Sequence, residues 1–210
     1  MSILQDISQA MQKGKAKQVK QLIPQALEGG VSANQILEEA LLAGMGEVGK
    51  RFRDNEIFVP EVLVAARAMN TGTELLKPYL QQAGVEPMGK AIIGTVKGDL
   101  HDIGKNLVRM MMEGKGIEMI DLGVDVEPET FIQSAIDNDC HLICCSALLT
   151  TTMGVIGEVV EKAKEAGIRD KVKIMIGGAP VNQQFCDSVG ADVYTPDAAT
   201  AAEAAASLLA

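Results

Sequence analysis

A histidine with an aspartate on each side stands in the segment Gly98-Asp99-Leu100-His101-Asp102-Ile103-Gly104, directly after the apolar run 91–96. Such a run is typical of a buried strand, and the carboxyl end of a strand is where an α/β sheet binds its ligand. A carboxylate near a histidine holds one ring nitrogen and leaves the other free for a metal. The segment therefore predicts that Asp99 orients His101 as a metal ligand. The alternative is a solvated loop histidine, which is more common for an isolated Asp-x-His pair.

Loops with hydroxyl or glycine residues follow two later apolar runs as well. They contain Ser146, Leu148, Thr150 and Thr152 after the run 142–147, and Gly177 and Gly178 after the run 172–176. Each loop alone also fits an ordinary connection, since threonines cap helices and paired glycines form turns. Parallel strands deliver all three loops to one edge of the sheet, however, so we expect the motif residues to meet there.

Composition and charge exclude several classes of partner. The loop 97–104 lacks the Gly-x-Gly-x-x-Gly pattern of a dinucleotide site. The chain has 28 acidic and 19 basic side chains, a net charge of −9, and no basic stripe, which argues against nucleic acid and anionic membranes. The first residues lack the basic start of a signal peptide, and the apolar tail 198–210 is too short to span a bilayer. We expect a cytoplasmic protein.

The four cysteines suggest neither disulfides nor a metal cluster. They are Cys140, Cys144, Cys145 and Cys186. Without a secretory signal, reduced thiols are expected. A zinc site at Cys140 and His141 is disfavoured, because neighbouring strand residues face opposite ways and no second ligand pair occurs elsewhere. Buried structural cysteines are the better interpretation.

The hydrophobic period divides the chain into two parts. From Ser2 to about Leu80 apolar residues recur at helical spacing and predict four helices, with short connections that favour an antiparallel bundle. The stretch 82–89 has no periodicity and contains glycine and proline, which is typical of a linker. We therefore expect a helical domain over residues 1–88 and a second domain over residues 89–210.

From Lys90 onward short apolar runs alternate with helical patterns. The predicted strands are 91–96, 119–122, 142–147, 172–176 and 191–194, and the predicted helices are 106–113, 129–137, 154–165, 183–188 and the alanine-rich tail. Alternation of this kind predicts an α/β fold, a five-stranded parallel doubly wound sheet of the Rossmann or flavodoxin type. The whole chain then reads as this sheet preceded by a four-helix bundle cap.

The three motif pieces together resemble the signature of the corrinoid-binding domain of cobalamin-dependent methyltransferases and mutases. The signature runs Asp-x-His-x-x-Gly, Ser-x-Leu and Gly-Gly, and the matching residues are Asp99, His101, Gly104, Ser146, Leu148, Gly177 and Gly178. The resemblance implies a bound cobamide, cobalamin or a related corrinoid, with its cobalt ligated by His101 in place of the cofactor's own base.

The resemblance also assigns roles to neighbouring residues. It implies that Thr152 extends the Asp99–His101 pair into a proton relay, although the family has serine at that position. The remaining implied contacts with the cofactor are Asp102 and Ile103 beside Gly104 in the first loop, Ser146, Leu148 and Thr150 along the slot for the nucleotide tail, and Gly177 and Gly178 close to the cofactor.

The segment 49–61 of the helical half resembles the cap that covers the methyl-bearing face of the cofactor in methionine synthase and in small corrinoid proteins. Phe52 and Val59 fall at the covering positions, although the family has leucine where this chain has Val59. The alternative is that both side chains are ordinary bundle core.

The implied function is that of a stand-alone corrinoid shuttle in a multi-component methyltransferase system. Co(I) accepts a methyl group from a substrate-specific methyltransferase, and methyl-Co(III) gives it to a second methyltransferase of the coenzyme M or tetrahydrofolate type. A reductive activating protein is a further implied partner, and the cap is expected to swing about the linker 82–89.

Three other classes remain as alternatives. A mutase subunit shares the binding domain but usually lacks the segment around Phe52. A phosphorylated receiver domain needs an aspartate at the end of the third strand, where this chain has Ser146. A corrinoid-sensing regulator is the serious non-enzymatic alternative, although the sequence shows no DNA-binding segment.

Overall fold

The computed structural model describes residues 2–210, which form two compact units. One unit comprises the chain up to Pro87 together with Gly114–Gly116. The other comprises Met88–Glu113 and Ile117–Ala210. Each unit has its own buried apolar residues.

The first unit is helical. Its elements are α1 (Ile3–Gln12), α2 (Ala16–Glu28), α3 (Ala33–Gln35), a π-helical segment (Ile36–Leu42), α4 (Ala43–Arg53) and α5 (Val59–Gln82). Because α3, the π-helical segment and α4 follow one another without a break, the chain makes the four helices that its periodicity predicts. Ser32 begins the third helix by accepting a hydrogen bond from the Gln35 amide at 3.2 Å, and Pro60 lies in the first turn of α5.

The second unit contains five strands, all pairing in parallel. They are β1 (Gly89–Thr95), β2 (Ile117–Asp121), β3 (Leu142–Ser146), β4 (Lys173–Gly177) and β5 (Val193–Tyr194). The strand order is β2-β1-β3-β4-β5, so the direction of winding reverses between β1 and β3. Ligands of open α/β sheets bind at the carboxyl ends of the strands beside such a reversal.

Helices cover both faces of this sheet. They are α6 (Ile103–Glu113), α7 (Pro128–Asp137), α8 (Val155–Glu165), α9 (Gln183–Val189) and α10 (Ala198–Leu209). Helix α10 packs against α6, whereas α7 packs against α8. The central strands are therefore buried on both sides, as their unbroken apolar runs predict. The predicted fold class, a doubly wound parallel sheet preceded by a helical cap domain, is confirmed.

The boundaries of α6 differ from the predicted ones in a way that affects the site. The helix begins at Ile103, three residues before the predicted start at Asn106. The Asn106 amide donates to the carbonyl of Asp102 at 2.7 Å, and the Asn106 side chain donates to the Asp102 carboxylate at 3.1 Å. Asp102 thus stands directly before the first turn, and the loop that carries His101 is shorter than the sequence indicates.

A buried ion pair ties the start of α6 to the end of β2. The Lys105 side chain is 2% exposed, and its Nζ lies 2.5 Å from Oδ1 of Asp121. Partial burial raises the pKa of Asp121, but the hydrogen bonds from Lys105 and the Gly123 amide outweigh it and lower the pKa below its ordinary value. The first turns of α6 are therefore fixed to the sheet by a charged contact.

None of the helices within residues 2–210 combines the length and the apolar character needed to cross a bilayer.

Candidate functional site

The three motif loops begin at strand ends that are aligned across the sheet. Thr95 at the end of β1 pairs in register with Ser146 at the end of β3, and Ser146 pairs with Gly177 at the end of β4. Loops that leave aligned ends of parallel strands emerge at the same edge. The structure therefore brings together the Asp-x-His loop, the loop after β3 and the glycine pair.

Asp99 is the centre of the hydrogen-bond network at this edge. Its side chain is completely buried. Oδ1 accepts from Nδ1 of His101 at 2.6 Å and from the His101 amide at 3.1 Å. Oδ2 accepts from the amides of Leu148 at 2.8 Å and Leu149 at 3.3 Å, and from the hydroxyl of Thr152 at 2.8 Å. One carboxylate thus joins the loop after β1 to the loop after β3.

These hydrogen bonds also fix the charge of Asp99. Burial alone raises the pKa of a carboxyl group, since it disfavours the charged form. The donors from Leu148, His101 and Thr152 outweigh the burial and hold the pKa of Asp99 well below its usual range. Asp99 is therefore a carboxylate throughout the ordinary pH range, and it acts only as an acceptor.

The state of Asp99 determines the tautomer of His101. Because the carboxylate accepts from Nδ1, that nitrogen carries a proton, and the lone pair of the neutral ring is on Nε2. The His101 side chain is 51% exposed, although its partner is buried. Nε2 is therefore the ring nitrogen that can bind a metal, and a carboxylate holds the ring from the opposite side, which is the arrangement of a metal-ligating histidine.

Thr152 occupies the third position of the chain His101–Asp99–Thr152 that the resemblance implies. Its side chain is buried, and its hydroxyl lies 2.8 Å from Asp99 Oδ2 and 3.1 Å from the carbonyl of Leu149. A hydroxyl carries a single proton, so Thr152 donates to one of these acceptors at a time. The Thr152 hydroxyl can therefore donate a hydrogen bond to the Asp99 carboxylate, or turn to the Leu149 carbonyl and leave the carboxylate with one donor fewer.

Exposed apolar side chains surround the histidine. Leu100 is 72% exposed and Ile103 is 75% exposed on either side of His101, while Leu148 and Leu149 are 41% and 40% exposed in the adjoining loop. Large apolar side chains at such exposure, next to a metal-type histidine, mark a binding surface rather than a core. The surface suits a flat, largely apolar ligand that contains a metal.

The other residues predicted for the cofactor have distinct environments. Ser146 is half-buried at the end of β3, Thr150 is exposed in the following loop, and Asp102 is exposed before α6. At Gly104, which has an ordinary negative φ, an added Cβ meets nothing within 4 Å. The protein itself does not require glycine at this position, so the open space beside the loop suits a bound ligand.

The two glycines after β4 differ from each other. At Gly178, with a φ of 131°, an added Cβ lies 1.8 Å from the carbonyl oxygen of Ala147. At Gly177 the nearest atom to an added Cβ is the Thr195 carbonyl oxygen at 3.7 Å. Glycine at 178 is therefore required by the close passage of the loop after β3, not only by a ligand.

Phe52 and Val59 belong to the helical unit, at the end of α4 and the start of α5. Both are half-buried. The segment between them contains Phe58, which is 66% exposed and which the sequence analysis did not select. An exposed aromatic side chain at the start of a helix is the stronger candidate for contact with something outside the bundle.

Sequence reasoning missed two backbone amides and two apolar side chains that contribute to the site. The amides of Leu148 and Leu149 hold the carboxylate of Asp99, and the side chains of Leu100 and Leu149 extend the exposed apolar surface. Backbone donors leave no trace in residue type. The exposed apolar side chains could have been found from the sequence, because a leucine in a short polar loop is not explained by packing in the core.

Within residues 2–210 no group of three or more histidine, cysteine, aspartate and glutamate side chains is arranged to hold a metal ion. A single histidine with an orienting carboxylate fits a metal whose remaining ligands come from a macrocycle. The nitrogen donor, the apolar surroundings and the open space at Gly104 all fit a corrinoid.

Comparisons with known proteins identify the family of the chain. Two family models, each described as a B12 binding domain, match residues 3–77 and residues 89–206. The chain is 45% identical over 172 residues to trimethylamine corrinoid protein 1 of Methanosarcina acetivorans, which covers 81% of this chain and 80% of that protein. It is 41% identical over 209 residues to the dimethylamine corrinoid protein of Methanosarcina barkeri, and this alignment covers 99% of this chain and 98% of that protein.

A solved structure shows the same likeness. A chain of the methanol:cobalamin methyltransferase complex MtaBC from Methanosarcina barkeri matches with a TM-score of 0.89 at 31% identity, covering 99% of this chain and 79% of that chain. The fold and the site thus define a corrinoid-binding protein. The chain belongs to the B12-binding family, among the corrinoid proteins of methyltransferase systems. The resemblance to corrinoid-binding proteins and the predicted cofactor class, a cobamide with its cobalt, are confirmed.

Proposed function

We propose that this protein carries a methyl group between two methyltransferases on a cobamide that it binds through His101, with the cofactor's own base displaced. The observation that carries this proposal is the exposed imidazole of His101, fixed by the buried carboxylate of Asp99 and set among exposed leucine and isoleucine side chains. The coarser function, a corrinoid methyl carrier, is supported by the methylamine corrinoid proteins and by the similarity to a methyltransferase complex.

A bound cobamide would supply the chemistry, which is transfer of a methyl group to and from its cobalt. The protein's part is to bind, orient and protonate. His101 offers Nε2 to the metal, and the Asp99 carboxylate makes that nitrogen more basic through its contact with Nδ1. The Asp99 carboxylate would also stabilise the imidazolium form of His101 when Nε2 is not bound to the metal. The Thr152 hydroxyl would tune how strongly Asp99 holds the imidazole, by donating to the carboxylate or to the carbonyl of Leu149.

The displaced nucleotide tail needs a place to lie. We assign it to the loops after β3 and β4, where Ser146, Leu148 and Thr150 stand opposite Gly177 and Gly178 along the same edge of the sheet. Asp102, Ile103 and Gly104 would contact the cofactor next to His101 in the same loop. The resemblance implies that Phe52 and Val59 would cover the methyl-bearing face of the cofactor, and that the linker between α5 and β1 would let this cover move.

Three protein partners follow from the proposal. One methyltransferase loads the methyl group, a second of the coenzyme M or tetrahydrofolate type removes it, and a reductive activating protein restores cobalt that has been oxidised. The chain is 45% identical to a trimethylamine corrinoid protein and 31% identical to the chain of the methanol complex, so we place methylamine methyltransferases first as the loading partner. These partners imply a cytoplasmic location.

The function is tested with protein loaded with cobamide under reducing conditions. The reduced protein is methylated chemically with iodomethane, and loss of the methyl group is followed spectroscopically after addition of an acceptor methyltransferase with coenzyme M or tetrahydrofolate. We expect stoichiometric demethylation only when one of the two acceptor enzymes is present. Stable methylated protein with both enzymes would contradict a carrier and favour the corrinoid-sensing regulator.

A further inference from the structure

The loop that carries His101 is poorly held by packing. Leu100, His101 and Ile103 expose 72%, 51% and 75% of their surfaces, the value for His101 referring to its side chain. Side chains at this exposure contribute little to fixing a backbone. The position of the imidazole must therefore depend on the polar contacts of the loop, and Asp99 cannot supply all of them because it belongs to the same loop.

Thr95 supplies a contact from the sheet. It is completely buried at the end of β1, and its hydroxyl donates to the main-chain carbonyl of His101 at 2.8 Å. The backbone of Thr95 is itself fixed on the other side, because its amide donates to Gly123 and its carbonyl accepts from Val126. The hydroxyl thus connects a rigid strand end directly to the residue proposed as the cobalt ligand.

Packing does not explain why this residue is threonine. Valine has the same branched shape and suits a buried strand equally well, whereas a buried hydroxyl costs free energy unless it has a partner. The contact that the structure gives the hydroxyl is the carbonyl of His101. The hydroxyl is therefore explained by the position it imposes on that residue.

Asp125 holds the other end of the same loop. Its carboxylate accepts from the Gly98 amide at 2.7 Å, and its own amide donates to the Asp99 carbonyl at 3.0 Å. Asp125 has a φ of 55°, a left-handed conformation that aspartate tolerates better than most residues. Two residues outside the loop thus fix its backbone before and after Asp99.

We propose that Thr95 is a positioning residue, with Asp125 as a second anchor. Together they hold the backbone of the His101 loop in the position from which the imidazole can bind cobalt. The inference rests on the proposed function of His101 and adds a residue to it. Neither Thr95 nor Asp125 touches the metal in this account. Their effect is on the fraction of bound cobamide that is ligated by His101, not on whether the loops bind the cofactor's tail.

The test compares Thr95→Val with Thr95→Ser, which keeps the hydroxyl. A matched control is Thr73→Val, which removes a threonine hydroxyl that donates to the Met69 carbonyl at 3.2 Å within α5. Each variant is loaded with cobamide in the Co(II) state, and electron paramagnetic resonance measures the ratio of cobalt with one-nitrogen splitting to cobalt without it. Amide hydrogen exchange of residues 98–103 is measured on the protein before loading.

We expect Thr95→Val to lower the ratio about three- to tenfold, as the loss of one hydrogen bond implies, and to accelerate exchange in the loop. Thr95→Ser and Thr73→Val should match the wild type. An unchanged ratio in Thr95→Val, or an equal fall in Thr95→Ser, overturns the inference while leaving ligation by His101 intact. Absence of nitrogen splitting in the wild type overturns the ligation itself, and this inference with it.

Asp125→Gly keeps the test decisive if Thr95→Val does not fold or load. Glycine suits the left-handed backbone at this position, so the substitution removes the carboxylate without adding strain. We expect the same direction of change, a lower ratio and faster exchange at Gly98. A wild-type ratio in Asp125→Gly then overturns the inference.

Discussion

The chemistry of the site depends on one buried carboxylate. Asp99 accepts five hydrogen bonds, two from His101 and three from the loop after β3. Each bond favours the ionised form, which is why the pKa of Asp99 is low despite its complete burial. The imidazole is therefore held in one tautomer. The same network joins two loops, so it supports the structure of the edge as well as the ligand.

Asp99→Asn should destabilise the protein strongly. Every partner of the Asp99 carboxylate is a hydrogen-bond donor, whereas the side-chain nitrogen of asparagine is itself a donor. In either orientation that nitrogen would face the donors of His101 or those of the loop after β3, and these buried donors would lose their acceptor. We expect the free energy of unfolding to fall by at least ~2 kcal/mol in urea denaturation. Asp102→Asn removes the same charge from an exposed position in the same loop and should change it by less than ~0.5 kcal/mol. Equal effects of the two substitutions would contradict the central role of Asp99.

The cysteines should be unreactive in the folded protein. All four are buried, and burial raises the pKa of Cys144 to about 12 and the pKa of Cys145 further. We expect none of the four to react with a thiol reagent at pH 8 until the chain is denatured. The unfolded chain releases thiol protons near pH 9, so the free energy of unfolding should fall as the pH rises from 9 towards 12. Rapid labelling of Cys144 or Cys145 in native protein would contradict their burial.

At the scale of elements, sequence pattern predicts most of the fold and less of the site. The periodicity locates the helices and strands, and parallel topology alone places the three motif loops at one edge. The start of α6 was placed too late, because the polar residues around Asp102 resemble a loop although they begin the helix. The amides of Leu148 and Leu149 could not be predicted, since every residue type offers the same backbone donor.

Substitution by alanine should have different effects on stability at two of the motif glycines, Gly178 and Gly104. Gly178→Ala places a methyl group against the Ala147 carbonyl in a backbone conformation that side chains rarely adopt, so we expect a loss of at least ~2 kcal/mol in the free energy of unfolding. Gly104→Ala meets open space in the first turn of α6 and should leave stability unchanged or up to ~1 kcal/mol higher.

Cobamide retention after gel filtration distinguishes an effect of Gly104→Ala on cofactor binding from an effect on stability. Gly104→Ala should bind the cofactor more weakly than the wild type although it is equally stable, since its methyl group enters the space assigned to the ligand. Wild-type retention by Gly104→Ala would show that this space is not part of the site.

At the scale of the whole molecule, the chain forms a helical unit and a sheet unit joined by a short segment between α5 and β1. Most residues of that segment are exposed. The proposed carrier must expose its cofactor to two different enzymes, so we propose that the segment 82–89 is a hinge and marks the boundary between domains 1–88 and 89–210.

Limited proteolysis tests the hinge. The segment contains Ala83 and Val85 but no lysine or arginine, so elastase is suited to it and trypsin is not. We expect elastase to cut first within 82–89 and to give two fragments, one that ends and one that begins in this segment. A first cut elsewhere, with this segment intact, would contradict a mobile hinge.

The most direct test of the account is the electron paramagnetic resonance spectrum of the Co(II) form after anaerobic loading with a cobamide and desalting. The chain has two histidines, so His141→Ala is a matched control for His101→Ala. His141 is exposed at the other end of β3, away from the motif loops. The account predicts splitting from a single nitrogen in the wild type and in His141→Ala, and its loss in His101→Ala. Splitting that survives in His101→Ala, or no retained corrinoid in the wild type, would contradict it.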